Sequence, residues 1–352
     1  MKLGIARILA CAAGAVLLAA APSPASGFDA SQRGQIIEGI KKAMGHYIDP
    51  KVTAAVDAQL DSDRAKLVAI VDPREFAKAV TGDLRAAGHD KHLYLAYSDQ
   101  LPPPGGHANE SQAEIAHDTD STRLHNAGVR GAYWLPGNIG YINLRGFPGM
   151  YGEATRHPID AAMAVVANTD ALIIDLRNNG GGDPDTLDYW MGYFFAKPTE
   201  LTQIHWVTPT AHIDRQYSAS SVAGPRYTKP VYVLTSAHTY SCAEQFAYDM
   251  QSLHRATLVG ETTGGAANPG DFTRLNDHFA VFVPTGRAYN PYTRTNWEGV
   301  GVKPEVPTTA DGALLRAYTL GLQTANDSFD ELVVDRAAIL KDPAQVLSNY
   351  LK

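Results

Sequence analysis

Apolar residues recur every three or four positions through the first ninety residues and then give way to short β-branched runs, and this change of period divides the chain. Ile36, Ile37, Ile40 and Met44 share one helical face behind Ser31 as the expected cap, and Val56, Leu60 and Leu67 continue the pattern. The third helix is the most fully specified: Asp72 as cap, Pro73 in the first turn, Phe76, Val80 and Leu84 as an i, i+4, i+8 stripe, and Gly88 past its end. From residue 131 strands take over. Ala132 to Leu135 and Ile139 to Leu144, joined by Pro136-Gly137-Asn138, predict a hairpin. Ile159 to Val166 and Leu187 to Phe195 predict helices around the apolar strand Ala171 to Leu176. Val231 to Leu234, Thr257 to Gly260 and Phe279 to Val283 predict further strands. Strands alternating with helices predict a layered α/β domain. Ala313 to Leu322, Phe329 to Leu340 and a short turn from Pro343 to Leu347, capped by Asp342, close the chain as helices. Residues 100 to 128, with Pro102 to Gly106 as a Pro-Pro-Pro-Gly-Gly run, predict a linker or a mobile lid loop.

Composition places the chain among soluble globular proteins: 352 residues, 45% hydrophobic and 19% charged, with no repeat. Residues 1 to 27 have the three parts of an export signal: Lys2 and Arg7, the apolar stretch Ile8 to Ala21, and Ala25-Ser26-Gly27 as a small-residue cleavage site. Cleavage would start the mature chain near Phe28, leave no membrane span, and export the protein to the periplasm or beyond. It would also remove Cys11, so that Cys242 is a single thiol without an internal disulfide. Net charge of -7 becomes more negative when Lys2 and Arg7 leave, which argues against nucleic acid as a partner. No Walker pattern, Gly-x-Gly-x-x-Gly, Cys-x-x-Cys or His-Glu-x-x-His occurs, so neither cofactor nor metal is expected.

Candidate chemistry lies at three loops. Ser241 stands between the strand Val231 to Leu234 and a helix carrying Phe246, Met250 and Leu253, where free backbone N–H groups can stabilise an oxyanion. With Glu244 it also spells a capping box, so a plain helix cap is the competing reading. Cys242, beside it at the same helix N-terminus, is a candidate low-pKa thiol. His92 opens the strand after Gly88-His-Asp-Lys-His, a suitable place for a base, with His89 as its competitor. Gly180, Gly181 and Gly182 end the Arg177-Asn-Asn loop; they are either a flexible connection or a backbone that can approach a ligand and donate to an oxyanion. Glu298, between Trp297 and Gly299, is an acid that can be partly buried and aimed.

Four blocks in order resemble the C-terminal-processing (tail-specific) serine peptidase family, in the branch of the tricorn core protease and the interphotoreceptor retinoid-binding protein. They are Asp90-Lys-His-Leu; Gly140 to Phe147 with Ile174 to Gly182; Thr235 to Glu244; and Glu298 to Glu305. The resemblance implies a crotonase-like ββα core beside an N-terminal helical subdomain. The chain would divide into a signal peptide at 1–27, the helical subdomain at 28–99, a linker or lid at 100–130, and the peptidase core with C-terminal helices at 131–352. Only about 40 residues separate the His92 strand from the Ile139 strand, so the family's PDZ domain is absent. The resemblance further implies Ser241 as nucleophile, His92 as base and Glu298 as its orienter; Glu261 and Asp271, on loops downstream of the serine, are competing acids by position alone. Backbone N–H groups of Cys242 and of Gly181 or Gly182 would form the oxyanion hole. Relatives with a Ser-Lys dyad carry lysine where this chain has Ala266, and the tricorn branch has a supporting serine where this chain has Lys91. An exported serine peptidase acting on peptide or protein substrates is therefore expected. The alternative is a non-catalytic binder of an apolar ligand or peptide in the same cleft.

Overall fold

Three aspartates start the first three helices. Asp29, Asp49 and Asp72 each accept a backbone N–H from the first turn of α1 (Ala30–Met44), α2 (Pro50–Val68) and α3 (Pro73–Gly88), and a proline opens the last two. The α1 cap is thus Asp29, two residues before the expected Ser31, because its carboxylate reaches the Gln32 N–H at 2.9 Å. The computed structural model describes residues 28–99, 101, 112–207, 212–215, 221–324 and 335–351. The expected export signal, the Pro102 to Gly106 run and residues 329–334 of an expected helix lie outside the described residues.

After α3 come β1 (Tyr94–Tyr97), α4 (Gln112–Leu124), β2 (Val129–Leu135), β3 (Ile139–Leu144), α5 (Glu153–Val166), β4 (Ala171–Asp175) and α6 (Pro184–Met191). Then follow β5 (Gln203–Val207), β6 (His212–Arg215), β7 (Val231–Thr235), α7 (Cys242–Ser252), β8 (Thr257–Gly260), β9 (Gly270–Arg274), β10 (Phe279–Pro284) and β11 (Gly286–Tyr289). β12 (Val306–Pro307), α8 (Ala310–Thr324), α9 (Arg336–Ile339) and α10 (Pro343–Tyr350) complete the described chain.

The central sheet has the order β12-β8-β7-β4-β3-β2, parallel throughout except for β2, which pairs antiparallel with β3 at one edge. Alternate residues of its strands feed two separate cores. Ile142, Leu144, Leu172, Ile174, Val231 and Val233 pack with α5, α6 and α7, while Ile139, Tyr141, Ala171, Ile173, Tyr232 and Leu234 pack with α8. Both faces are therefore covered, which is why β4 and β7 are buried at every position and appear in the sequence as unbroken apolar runs.

The N-terminal helices are not packed on their own. β1 pairs antiparallel with β10, Tyr94 opposite Phe282, and Phe76, Val80 and Leu84 of α3 share one core with Phe279, Val281 and Val283. Residues 112–124, expected as loop, form the helix α4. Its polar sequence carries no apolar stripe, so periodicity was silent, but it also contains no Gly or Pro to prevent a helix. The sheet β11-β5-β6 was likewise not expected.

Candidate active site

The end of β7 delivers the chain into a turn tied to the end of β4. Thr239 donates its hydroxyl to the Leu176 carbonyl at 2.8 Å, Ser236 N–H donates to Thr239 Oγ1, and Tyr240 N–H donates to the Asn179 carbonyl at 3.0 Å. Ser241 then takes φ 54°, ψ -123°, in the region that L-residues rarely adopt. An ordinary cap such as Asp72, at φ -80°, ψ 125°, sits in relaxed extended backbone. Strain of this kind costs on the order of 1–3 kcal/mol and concentrates at functional positions. The buried Glu244 carboxylate holds the turn. It accepts from Ser241 N–H at 2.9 Å, Gly265 N–H at 2.6 Å, Ala266 N–H at 2.9 Å and the Thr263 hydroxyl at 2.5 Å. Burial pushes this carboxyl up while those donors pull it back.

Gly181 lies against the serine. A Cβ there would stand 2.8 Å from Ser241 Cβ and 2.9 Å from Cys242 N, and its φ of +97° also requires glycine. At Gly182, φ +138°, a Cβ would fall 1.9 Å from the Phe147 carbonyl oxygen. The Gly181 N–H donates to Asn179 Oδ1 at 2.9 Å. Cys242 does not fit the expectation of an activated thiol. Its Sγ donates to the Gly182 carbonyl, and complete enclosure pushes the thiol up to about 12, so no thiolate forms near neutrality.

His92 is buried in the turn that precedes β1, its ring 5.2 Å edge-on from Tyr240, the residue before Ser241, and 5.8 Å from Phe282. Its backbone N–H donates to Asp90 Oδ1 at 2.8 Å, while Asp90 Oδ2 accepts from the Tyr47 hydroxyl at 2.9 Å and from Asn268 Nδ2 at 3.0 Å. Glu298 Oε2 accepts from the N–H groups of Ala267 at 2.6 Å and Asn268 at 3.1 Å. Asp90, His92 and Glu298 each bring one ligand-type atom within 4.8 Å of the others, a set that could share a proton or hold a small cation. Two atoms of this cluster, His92 Nδ1 and Glu298 Oε1, are buried without a protein partner. Burial, and after it the charge of Asp90, pushes the Glu298 carboxyl up to about 7. Burial pushes the His92 imidazole down to about 4, against the pull of Asp90, so the ring is neutral.

The competitors lie elsewhere. His89 is exposed and ends α3 in the left-handed conformation. Glu261 accepts the Ala310 N–H at 3.0 Å, and Asp271 is exposed on β9. Asp90 is the acid that sequence reasoning passed over, although an aspartate two residues before the histidine is the signature of a side chain bonding to a backbone N–H two positions on. Ala266 is fully buried, its carbonyl accepting the Trp297 indole N–H at 2.9 Å, and Lys91 Nζ donates to the Gly264 carbonyl.

Residues 138–308 match peptidase family S41, a span that holds Ser241 and Glu298 and leaves His92 outside. The carboxyl-terminal-processing peptidase 2, chloroplastic, of Arabidopsis thaliana is 26% identical over 183 residues, which are 49% of this chain and 33% of the relative. The tricorn protease of Thermoplasma volcanium is 25% identical over 171 residues, 48% of this chain and 15% of that protein. The chain thus spans a third or less of the length of these two relatives. The structure of a lipoprotein from Streptococcus agalactiae superposes with a TM-score of 0.55 at 16% identity, over 84% of this chain and 97% of that one, and shares its fold. Over residues 138–308, just under half of its length, the chain is thus similar to peptidase family S41.

Proposed function

We propose that the protein is an exported serine peptidase with a crotonase-like core, in which Ser241 is the nucleophile, His92 the base and Glu298 the group that orients and charges it. The observation that carries this reading is the pair of buried atoms without partners, His92 Nδ1 and Glu298 Oε1, in one cluster whose imidazole packs against Tyr240, the residue before the strained Ser241. A buried polar atom left unpaired costs about 1–3 kcal/mol, a cost that a base and its orienting carboxylate explain and a structural salt bridge does not. The neutral His92 ring takes the Ser241 proton as Oγ attacks the peptide carbonyl. The resulting imidazolium is stabilised by ionised Glu298, and then protonates the leaving amine. Because Gly181 N–H is committed to Asn179, the oxyanion falls to the N–H groups of Cys242, at the head of α7, and Gly182, with Gly181 shaping the wall. Hydrolysis of the acyl-enzyme repeats these roles with water. The substrate is a peptide or protein. Among the described residues no helix is long and apolar enough to cross a membrane.

A fluorophosphonate probe tests this directly. Labelling of the wild type at Ser241, lost in Ser241→Ala and in His92→Ala, is expected. A folded protein that resists the probe and still binds peptide would be the non-catalytic binder.

A further inference from the structure

A base steadied by one acid needs one carboxylate beside its ring, and here there are two. Asp90 and Glu298 each bring an oxygen within 4.8 Å of the other's and of a ring nitrogen of His92. Glu244, a third buried acid, adds its charge to that of Asp90 in acting on Glu298. Among the described residues neither Asp90 nor Glu298 forms an ion pair with a Lys or Arg. Arg85 is the cation whose charge reaches His92, and its Nε is spent on the Leu93 carbonyl at 3.0 Å. Negative charge is therefore gathered around the imidazole without a counterion of its own.

The unpaired atoms are of one kind. His92 Nδ1, Glu298 Oε1 and Asn268 Oδ1 are all buried without a partner, and each can offer a lone pair. Asn268 joins the two acids: its backbone N–H donates to Glu298 Oε2 at 3.1 Å and its Nδ2 to Asp90 Oδ2 at 3.0 Å, which leaves Oδ1 over. His92 and Asn268 are only 7% and 6% exposed, so bulk solvent does not satisfy them. Three points mutually within 4.8 Å share a centre no more than about 2.8 Å from each, and Zn²⁺ binds imidazole nitrogen and carboxylate oxygen at roughly 2.0–2.2 Å. Shifts of under about 1 Å, within the reach of side-chain torsions, close the three on one small ion. An imidazole with two carboxylates suits a borderline ion such as Zn²⁺, whereas Mg²⁺ and Ca²⁺ take oxygen sets. No short motif announces the set, because its members stand at positions 90, 92 and 298.

We propose that Asp90, His92 and Glu298 form a reversible Zn²⁺ site whose occupation switches the peptidase off. A neutral imidazole carries its proton on one nitrogen and a free lone pair on the other. Once that pair is given to the ion, the ring has none left for the Ser241 proton, and Glu298, held on the metal, no longer steadies an imidazolium. Any proton on Glu298 leaves to solvent as the ion enters. No covalent bond of the protein breaks, so removal of the ion restores the base. The site rests on the geometry of the cluster, and only its effect on turnover rests on the peptidase reading.

The test titrates Zn²⁺ by calorimetry into the untagged full chain carrying Ser241→Ala, stripped beforehand with EDTA, so that it stands whether or not the serine is catalytic. One ion per chain should bind and raise the Tm. Adding Glu298→Gln, which keeps the shape of the side chain, should weaken binding by about tenfold or more, and adding His92→Ala should abolish the rise in Tm. Both variants are checked for folding by their melting curves. The exposed neighbour is the control, and His89→Gln should change neither quantity. In the wild type the same Zn²⁺ concentrations should slow fluorophosphonate labelling of Ser241 in proportion to occupancy, with Mg²⁺ ineffective and EDTA restoring the rate. Absence of binding, binding unchanged in Glu298→Gln or His92→Ala, or labelling unslowed at full occupancy overturns the proposal. A wild type that never labels would instead overturn the peptidase reading, with the calorimetric result still deciding the site.

Discussion

The turn that carries Ser241 and the turn that carries His92 are built on opposite plans. At the serine the groups that hold the turn are paired: Glu244 alone accepts from four donors, and strain is confined to one residue's backbone. At the histidine they are not, because His92 Nδ1, Glu298 Oε1 and Asn268 Oδ1 are all buried without partners. A nucleophile needs a fixed position, which full satisfaction supplies. A base must take up a proton during the reaction while its carboxylate steadies the charge that results, and spare hydrogen-bonding capacity is what allows it.

The largest test of this contrast removes either end. Ser241→Ala and His92→Ala should each lower kcat by about 10⁴-fold or more, with the double variant no worse than either, since members of a triad act as a unit. Additive losses in single-turnover kinetics would separate the two turns. Glu298→Gln should cost on the order of 100-fold in kcat through loss of charge and the wrong tautomer, with KM little changed. Because the Glu298 carboxyl is pushed up to about 7, it ionises as pH rises through neutrality, so wild-type kcat/KM should climb across that range and the climb should vanish in Glu298→Gln. Stability has the opposite sign. A folded pKa raised from 4.5 to about 7 gives a contribution fully present below 4.5 and lost as pH rises through 7, so the wild-type Tm should fall over this window more than that of Glu298→Gln.

Ala266→Lys sharpens the comparison from the serine side. The position is fully buried, so the substitution should destabilise by about 1–3 kcal/mol in urea titration and should not restore activity to His92→Ala. Asp90→Asn should act mainly on the base side. Removing the charge that helps raise Glu298 should move the acid limb of the pH profile to lower pH, an effect that a merely structural Asp90 would not produce. The smallest effects belong to Glu261→Gln and His89→Ala, each less than about tenfold in kcat/KM, since one accepts the first N–H of α8 and the other lies exposed at the end of α3.

The same contrast governs what the sequence discloses. The Ser241 turn is local: an apolar strand, a short turn and a helix within about twenty residues, so periodicity placed it. Asp72 and Pro73 fixed the start of α3 for the same reason, whereas Gly88 proves to be its last residue and the left-handed end falls on His89. The surroundings of His92 are assembled from distant segments. Asn268 and Asp90 meet across 178 positions, and no pattern within either segment reveals that they touch. Glu244 showed itself only as half of a capping box, because its partners at Gly265 and Ala266 are likewise remote. Helix α4 and the β11-β5-β6 sheet escaped notice because their faces are polar or mixed and give no clear period.

The pairing of β1 with β10 has a consequence in time. A chain made from its N-terminus has both the histidine turn and the serine in hand well before residues 279–284 exist, yet the Tyr94–Phe282 register and the Asn268 bridge to Asp90 form only when that late strand docks. Contacts so distant in sequence close slowly, because the entropy of a long loop is lost before any contact repays it. If Ser241 is the nucleophile proposed above, the nascent protein should carry it in an inert form until β10 arrives, and chain shortened to end before residue 279 should leave His92 unplaced. The topology itself then serves as a delay between making the serine turn and placing the histidine beside it in the finished fold.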